Sequence, residues 1–133
     1  MAFRLSQRST RNLTGVHPDL VSVIMRALEI SPLDFVVIEG LRTIKRQQAL
    51  VASGASKTMR SRHIHGFAID VAPLVAGSVR WDWPLYDRLI VAFRQAAKDV
   101  GVKVEFGYDW KTFKDAPHIQ LPHATHPDPV KNA

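Results

Sequence analysis

The chain has 133 residues, room for one domain of ordinary size, and 46% hydrophobic against 23% charged residues is the composition of a folded globular protein. It has no cysteine, which excludes disulfides, thiolate metal sites, iron–sulfur clusters and thiol nucleophiles, so any metal must be held by His, Asp and Glu. The formal charge of +6 arises before residue 63, where ten Lys/Arg stand against four Asp/Glu, while residues 63–133 hold eight of each; that excess suits a polyanionic partner such as nucleic acid, an anionic membrane or an acidic cell wall.

Met1–Thr10 lacks the apolar core of a secretory signal, and no apolar run approaches the roughly 18 residues of a membrane helix. Pro18 reads as the first residue of a helix whose apolar positions Leu20, Val21, Ile24, Ala27 and Leu28 recur at helical spacing, ending near Ile30 before Ser31-Pro32. The β-branched run Phe35-Val36-Val37-Ile38 predicts a buried strand. Thr43 is placed to cap a helix running to Ser53, with Gly54 as its stop. Residues 55–62 read as a polar loop and Phe67–Val71 as a second short strand. Pro84 opens the strongest helix, with Leu85, Leu89, Ile90, Phe93, Ala96, Ala97 and Val100 on one face and Gly101 beyond its end. Val102–Phe106 alternates like a strand, Ile119–Leu121 suggests a final one, and the stretch from Pro122 to Ala133 reads as a loose tail. Interleaved helices and few, short strands predict an α+β domain, a small mixed or antiparallel sheet flanked by helices, spanning residues 1–133 as one unit.

Two segments combine histidine with carboxylate. One is Ser61-Arg62-His63-Ile64-His65-Gly66-Phe67-Ala68-Ile69-Asp70, and the other is Asp115-Ala116-Pro117-His118. A catalytic zinc takes three protein ligands and leaves a position for water, and two His with one carboxylate meet that count. Gly66 allows the bend that lets His63 and Asp70 face one point, and Asp115, three residues before His118, is placed to move a proton as water attacks a carbonyl. In an extended strand His63 and His65 would share a face, so both are candidates at this level. His17, His123 and His126 read as structural or exposed. Trp81, Trp83 and Trp110 read as core residues in preference to a glycan or peptide groove, and Gln47 and Gln48 carry no assigned role.

The pattern Ser61-x-His63-x-x-Gly66-x-Ala68-x-Asp70, followed by Asp115-x-x-His118, resembles the signature of zinc peptidases that include VanY-like D,D-carboxypeptidases and phage L-alanyl-D-glutamate endopeptidases. Ile38-Glu39-Gly40-Leu41-Arg42-Thr43 resembles that family's strand leading to an essential arginine, and Phe106-Gly107-Tyr108-Asp109-Trp110 the segment before its last zinc histidine. The resemblance implies a hedgehog/D,D-peptidase-like fold, zinc on His63, Asp70 and His118, Asp115 as general base and acid, Arg42 on the scissile carbonyl or a substrate carboxylate, and Ser61 orienting substrate or site. It leaves His65 outside the ligand set. Gln120 stands where relatives often have Glu, and Asp115 is the shorter acid, as in the phage branch.

The activity so implied is zinc-dependent cleavage of the L-alanyl-D-glutamate amide in peptidoglycan by a phage endolysin. It would act as a monomer on the periplasmic cell wall after release from the host cytoplasm, with the basic half holding anionic envelope polymers. The alternatives are a D-alanyl-D-alanine carboxypeptidase and a non-catalytic basic module for cell wall or nucleic acid.

Overall fold

The structure is a computed structural model that describes residues 3–129. Helix α1 (Gln7–Asn12) is followed by α2 (Pro18–Ile30), strand β1 (Asp34–Glu39) and α3 (Ile44–Ala52). A short 3-10 turn, Arg62–His65, leads into β2 (Ala68–Val75), β3 (Ser78–Val79) and the long α4 (Trp83–Val100). Then come β4 (Glu105–Phe106), a second 3-10 turn at Gly107–Asp109, and β5 (His118–Gln120). Every strand pairing is antiparallel, in the order β1-β2-β5-β4, with β3 closing a hairpin on β2. The expected α+β class is what the chain adopts, with the antiparallel form of the sheet.

Alternation along the central strands separates the core from the site. Ile69 and Val71 of β2 and Ile119 of β5 join the core, so Asp70, His118 and Gln120 project to the opposite face. On the core face α2 and α4 pack against each other and onto the sheet, with Leu20, Val23, Ile24, Leu89 and Phe93 fully buried. Phe35 and Phe93 meet with ring centroids 5.0 Å apart. Truncating any of these large side chains to Ala costs about 2–5 kcal/mol through lost burial and the cavity left behind.

Several expectations shift where pairing, not local preference, decides. Strand β2 continues through Pro73 to Val75 because β1 still lies alongside it, with Phe35 opposite Pro73. Of Val102–Phe106 only Glu105 and Phe106 form a strand, because β5 is three residues long and offers partners only to those two. Val102 and Val104 pack on the core instead. Helix α1, absent from the sequence expectation, guards the outer side of β1. Ser9 Oγ accepts from the Val37 N–H at 2.9 Å, and Asn12 Nδ2 donates to the Val37 and Ile38 carbonyls at 2.8 and 2.9 Å.

The expected loose tail is held as far as it is described. Buried Arg62 donates from Nη2 to the Leu121 and His126 carbonyls at 2.8 and 2.6 Å, and from Nη1 to Asp128 at 2.8 Å. Residues 130–133 of that tail lie outside the described residues.

Candidate metal centre and cleft

Strand register brings the carboxylate and one imidazole together. Asp70 lies opposite His118 across β2 and β5, and opposite Glu39 across β2 and β1. The second imidazole comes from the turn before β2. Ser61 caps it by accepting from the His63 N–H at 3.2 Å, and Gly66 ends it with φ +74. A Cβ on Gly66 would stand 2.2 Å from the Gly15 carbonyl oxygen, so the residue is required for both conformation and contact. Because residues 62–65 form this turn and not a strand, His63 and His65 do not share a face. His63 is buried in the site; His65 lies 3.8 Å from Asp128 in the tail.

His63 Nε2 is 3.3 Å and His118 Nδ1 3.4 Å from the same oxygen, Asp70 Oδ1. The outer nitrogen of each ring is committed elsewhere. His63 Nδ1 donates to the Gly40 carbonyl at 2.9 Å, and His118 Nε2 donates to Gln120 Oε1 at 2.7 Å. Both inward nitrogens therefore present lone pairs to a carboxylate. His63 Nε2 and Asp70 Oδ1 are buried without a hydrogen-bond partner. Three acceptors converging at one buried point, all within 4.8 Å of one another, repel unless a cation or protons lie between them. The donor set of two imidazoles and a carboxylate fits a divalent transition metal.

Burial opposes the charge of Asp70, but His118 and His63 beside it outweigh that and hold its carboxyl well below the usual range. Burial likewise disfavours imidazolium at His118, yet the Asp70 carboxylate raises its pKa overall. The Gln120 amide nitrogen points to Glu105 Oε1 at 3.4 Å, which keeps its oxygen turned to His118.

Asp115 lies in the same cleft, carried by the loop after the second 3-10 turn. Its N–H donates to the Gly107 carbonyl at 3.0 Å, and its own carbonyl accepts from the His118 N–H at 3.0 Å. A Cβ on Gly107 would lie 2.3 Å from the Asp115 carbonyl oxygen and 3.0 Å from His118 Cβ, so glycine permits this close fold. Burial, and then the charge of Asp70, push the Asp115 carboxyl up from the ordinary carboxylate value.

Arg42 stands behind Asp70. Its guanidinium pairs with Glu39, donates to Gln47 Oε1 at 2.8 Å and to Ser61 Oγ at 3.4 Å, and has Nη2 3.9 Å from Asp70 Oδ2. Fully buried Gln47 ties this arginine to the next loop by donating to Ser56 Oγ at 2.8 Å and to the Thr58 carbonyl at 2.5 Å. The cleft encloses about 480 Å³, and His63, Asp70, His118, Arg42, Ser61 and Asp115 all line it.

In the sequence Gln47 and Arg62 carry no assigned role, and Gln120 is marked only as a departure from the Glu that relatives often carry; in the structure Gln120 holds the outer nitrogen of His118. Gln47, five residues after Arg42, is the one buried side chain of α3, a fact that only the contacts between segments reveal. The tryptophans overturn the core expectation: Trp81 and Trp83 are 58% and 47% exposed, and Trp110 is half-buried on the cleft wall with its ring 5.2 Å from that of His118. Their positions in loops and at the first turn of α4 keep them off the core-facing stripe.

A family model described as phage L-alanyl-D-glutamate peptidase matches residues 1–124. The L-alanyl-D-glutamate peptidase of Escherichia phage T5 is 37% identical over 130 residues, which cover 95% of this chain and 94% of the relative. The crystal structure of Serratia marcescens L-Ala D-Glu endopeptidase ChiX is similar with a TM-score of 0.89 and 49% identity over 95% of both chains. That of the vancomycin-resistance D,D-dipeptidase VanXYg is 22% identical with a TM-score of 0.54, covers 84% of this chain and 53% of the other, and shows the shared fold. With nearly its whole length matched, the chain belongs to the phage L-alanyl-D-glutamate peptidase family and is a peptidase.

Proposed function

We propose that the protein is a zinc-dependent endolysin that hydrolyses the L-alanyl-D-glutamate amide of peptidoglycan stem peptides, leading to wall degradation and host lysis. The observation that carries this reading is the convergence of the His63, Asp70 and His118 acceptor atoms in a cleft that also holds Asp115 and Arg42. His63, Asp70 and His118 would hold the ion. When bound, zinc supplies a Lewis acid that polarises a carbonyl and makes water acidic near neutral pH.

The remaining work falls to the chain's own residues. Asp115, with its carboxyl raised by burial, takes a proton from the attacking water at a carboxylate oxygen and returns it to the leaving amine. Arg42, held by Glu39 and Gln47, presents fixed positive charge to the oxyanion or to the D-glutamate carboxylate. Ser61 fixes both the His63 turn and the Arg42 head. No covalent intermediate is required.

Replacing Asp115 with Ala should leave the metal content unchanged and lower hydrolysis of purified peptidoglycan by about 10²–10⁴-fold. Unchanged activity would remove Asp115 from the chemistry. Mass spectrometry of the digest separates the readings: release of whole stem peptides marks the endopeptidase, and loss of one terminal alanine marks a carboxypeptidase. The basic half is proposed to hold anionic envelope polymers through exposed Arg4, Arg8 and Arg11. Neutralising these three should weaken sedimentation with cell walls and flatten its salt dependence; an unaltered salt profile would place wall affinity elsewhere.

A further inference from the structure

Aromatic rings gather where the start of α4 meets the segment that supplies Trp110 and Asp115 to the cleft. Trp83, the first residue of α4, is 47% exposed and sits beside Tyr108, with ring centroids 5.6 Å apart. Lys114 Nζ lies 5.5 Å from both centroids. The segment that carries Tyr108 and Lys114 also carries Trp110, on the cleft wall against His118, and Asp115. Leaving a tryptophan half in water forgoes burial that its large surface would otherwise contribute, and an exposed Trp ring held beside a partly buried Tyr, whose hydroxyl donates to Asp87, is a rigid surface of the kind that recognises ligands with one apolar face.

The substrate of the activity proposed above has such a face next to the bond cut. The L-alanine of a stem peptide is joined through a lactyl group to an amino sugar, so the glycan strand begins about one residue, roughly 4 Å of chain, before the scissile amide. A pyranose offers a flat C–H face for an aromatic ring, with hydroxyl and acetamido oxygens around its rim as acceptors. Trp83 and Tyr108 supply the rings and Lys114 supplies the N–H donors. Resting on that reading of the activity, we propose that Trp83, Tyr108 and Lys114 form a platform for the glycan strand, next to the cleft-lining segment that carries Trp110 and Asp115. The enzyme would then favour stems still attached to sugar over free peptides.

Two substrates with the same stem sequence test this: a free peptide and its disaccharide-linked form. The native enzyme should cleave the linked form with the higher kcat/KM. Trp83→Ala should lower that value about fivefold to tenfold through KM, leave the free peptide unaffected, and be largely rescued by Trp83→Tyr. Equal losses on both substrates, or no loss on either, would overturn the platform. A second measurement is independent of catalysis. Titrating the peptide-free disaccharide into protein labelled at the tryptophan indoles should shift the Trp83 N–H resonance, identified by its absence in Trp83→Tyr. A silent Trp83 resonance sinks the platform even in an active enzyme. A shifted resonance with neither peptide cleaved leaves the platform standing and counts against the activity instead.

Discussion

Two clusters in this chain have the same composition, two histidines and an aspartate whose ligand atoms lie within 4.8 Å of one another: His63, Asp70 and His118, and His17, Asp19 and His126. Their surroundings differ. In the first the side chains are 2%, 24% and 9% exposed, each ring has its outer nitrogen hydrogen-bonded away, and the inner nitrogens face a carboxylate oxygen that has no hydrogen-bond partner. In the second they are 33%, 49% and 16% exposed and the atoms are already in use. His17 Nδ1 accepts from the Asp19 N–H at 3.0 Å as the cap of α2, and His126 Nε2 meets Asp19 Oδ2 at 2.9 Å, joining the tail to that helix. Ligand chemistry alone does not make a site. The outer partners of the rings decide whether lone pairs are left over for an ion.

This contrast can be broken in order of effect. His63→Ala should abolish bound metal, measured by elemental analysis, and reduce hydrolysis to background, whereas His126→Ala should keep one equivalent of metal. Equal losses from the two variants would erase the distinction. Gln120→Leu removes the acceptor that orients His118 and should weaken metal affinity about 10–100-fold in a competition with a chelating dye. Native affinity in that variant would show that the ring needs no outer partner. The smallest effect belongs to the tail. His126→Ala removes the hydrogen bond to Asp19 and an exposed one to Thr125, so chemical denaturation should show a loss of about 1–2 kcal/mol with hydrolysis intact. A loss of activity in that variant would tie the second cluster to the first.

Much of the site was legible because its residues sit in short, ordered segments. Ser61, His63, Gly66 and Asp70 follow one another within ten residues, and Asp115 and His118 are one turn apart. What stood between them was less legible. A strand and a 3-10 turn are both open to Arg62–His65, and only the turn sends His63 and His65 in different directions; the choice is made by the backbone contacts at Gly66, including the His17 N–H donating to its carbonyl at 2.9 Å. Gln47 carried no assigned role in the sequence. It is buried because Arg42 and the Ser56–Thr58 loop close over it, contacts between segments that no local pattern encodes. The tryptophans misled for the opposite reason: their size argues for burial, but the core-facing stripe of α4 was already filled by Leu89, Ile90, Phe93 and Ala96.

The sequence by itself determined the chemistry available. Without cysteine any metal falls to imidazole and carboxylate, and the spacing of His63, Asp70, Asp115 and His118 narrows the choice to a few side chains. It also determined the two amphipathic helices and the apolar strands, whose periodicities are local properties of the chain. Only the tertiary structure decided that Asp70 lies across from His118, that Gln120 and the Gly40 carbonyl take up the outer ring nitrogens, and that the other His/Asp set spends its atoms on a cap and a tether. The physical reason is that lone-pair direction depends on strand register and on neighbours distant in sequence, whereas residue type and spacing do not.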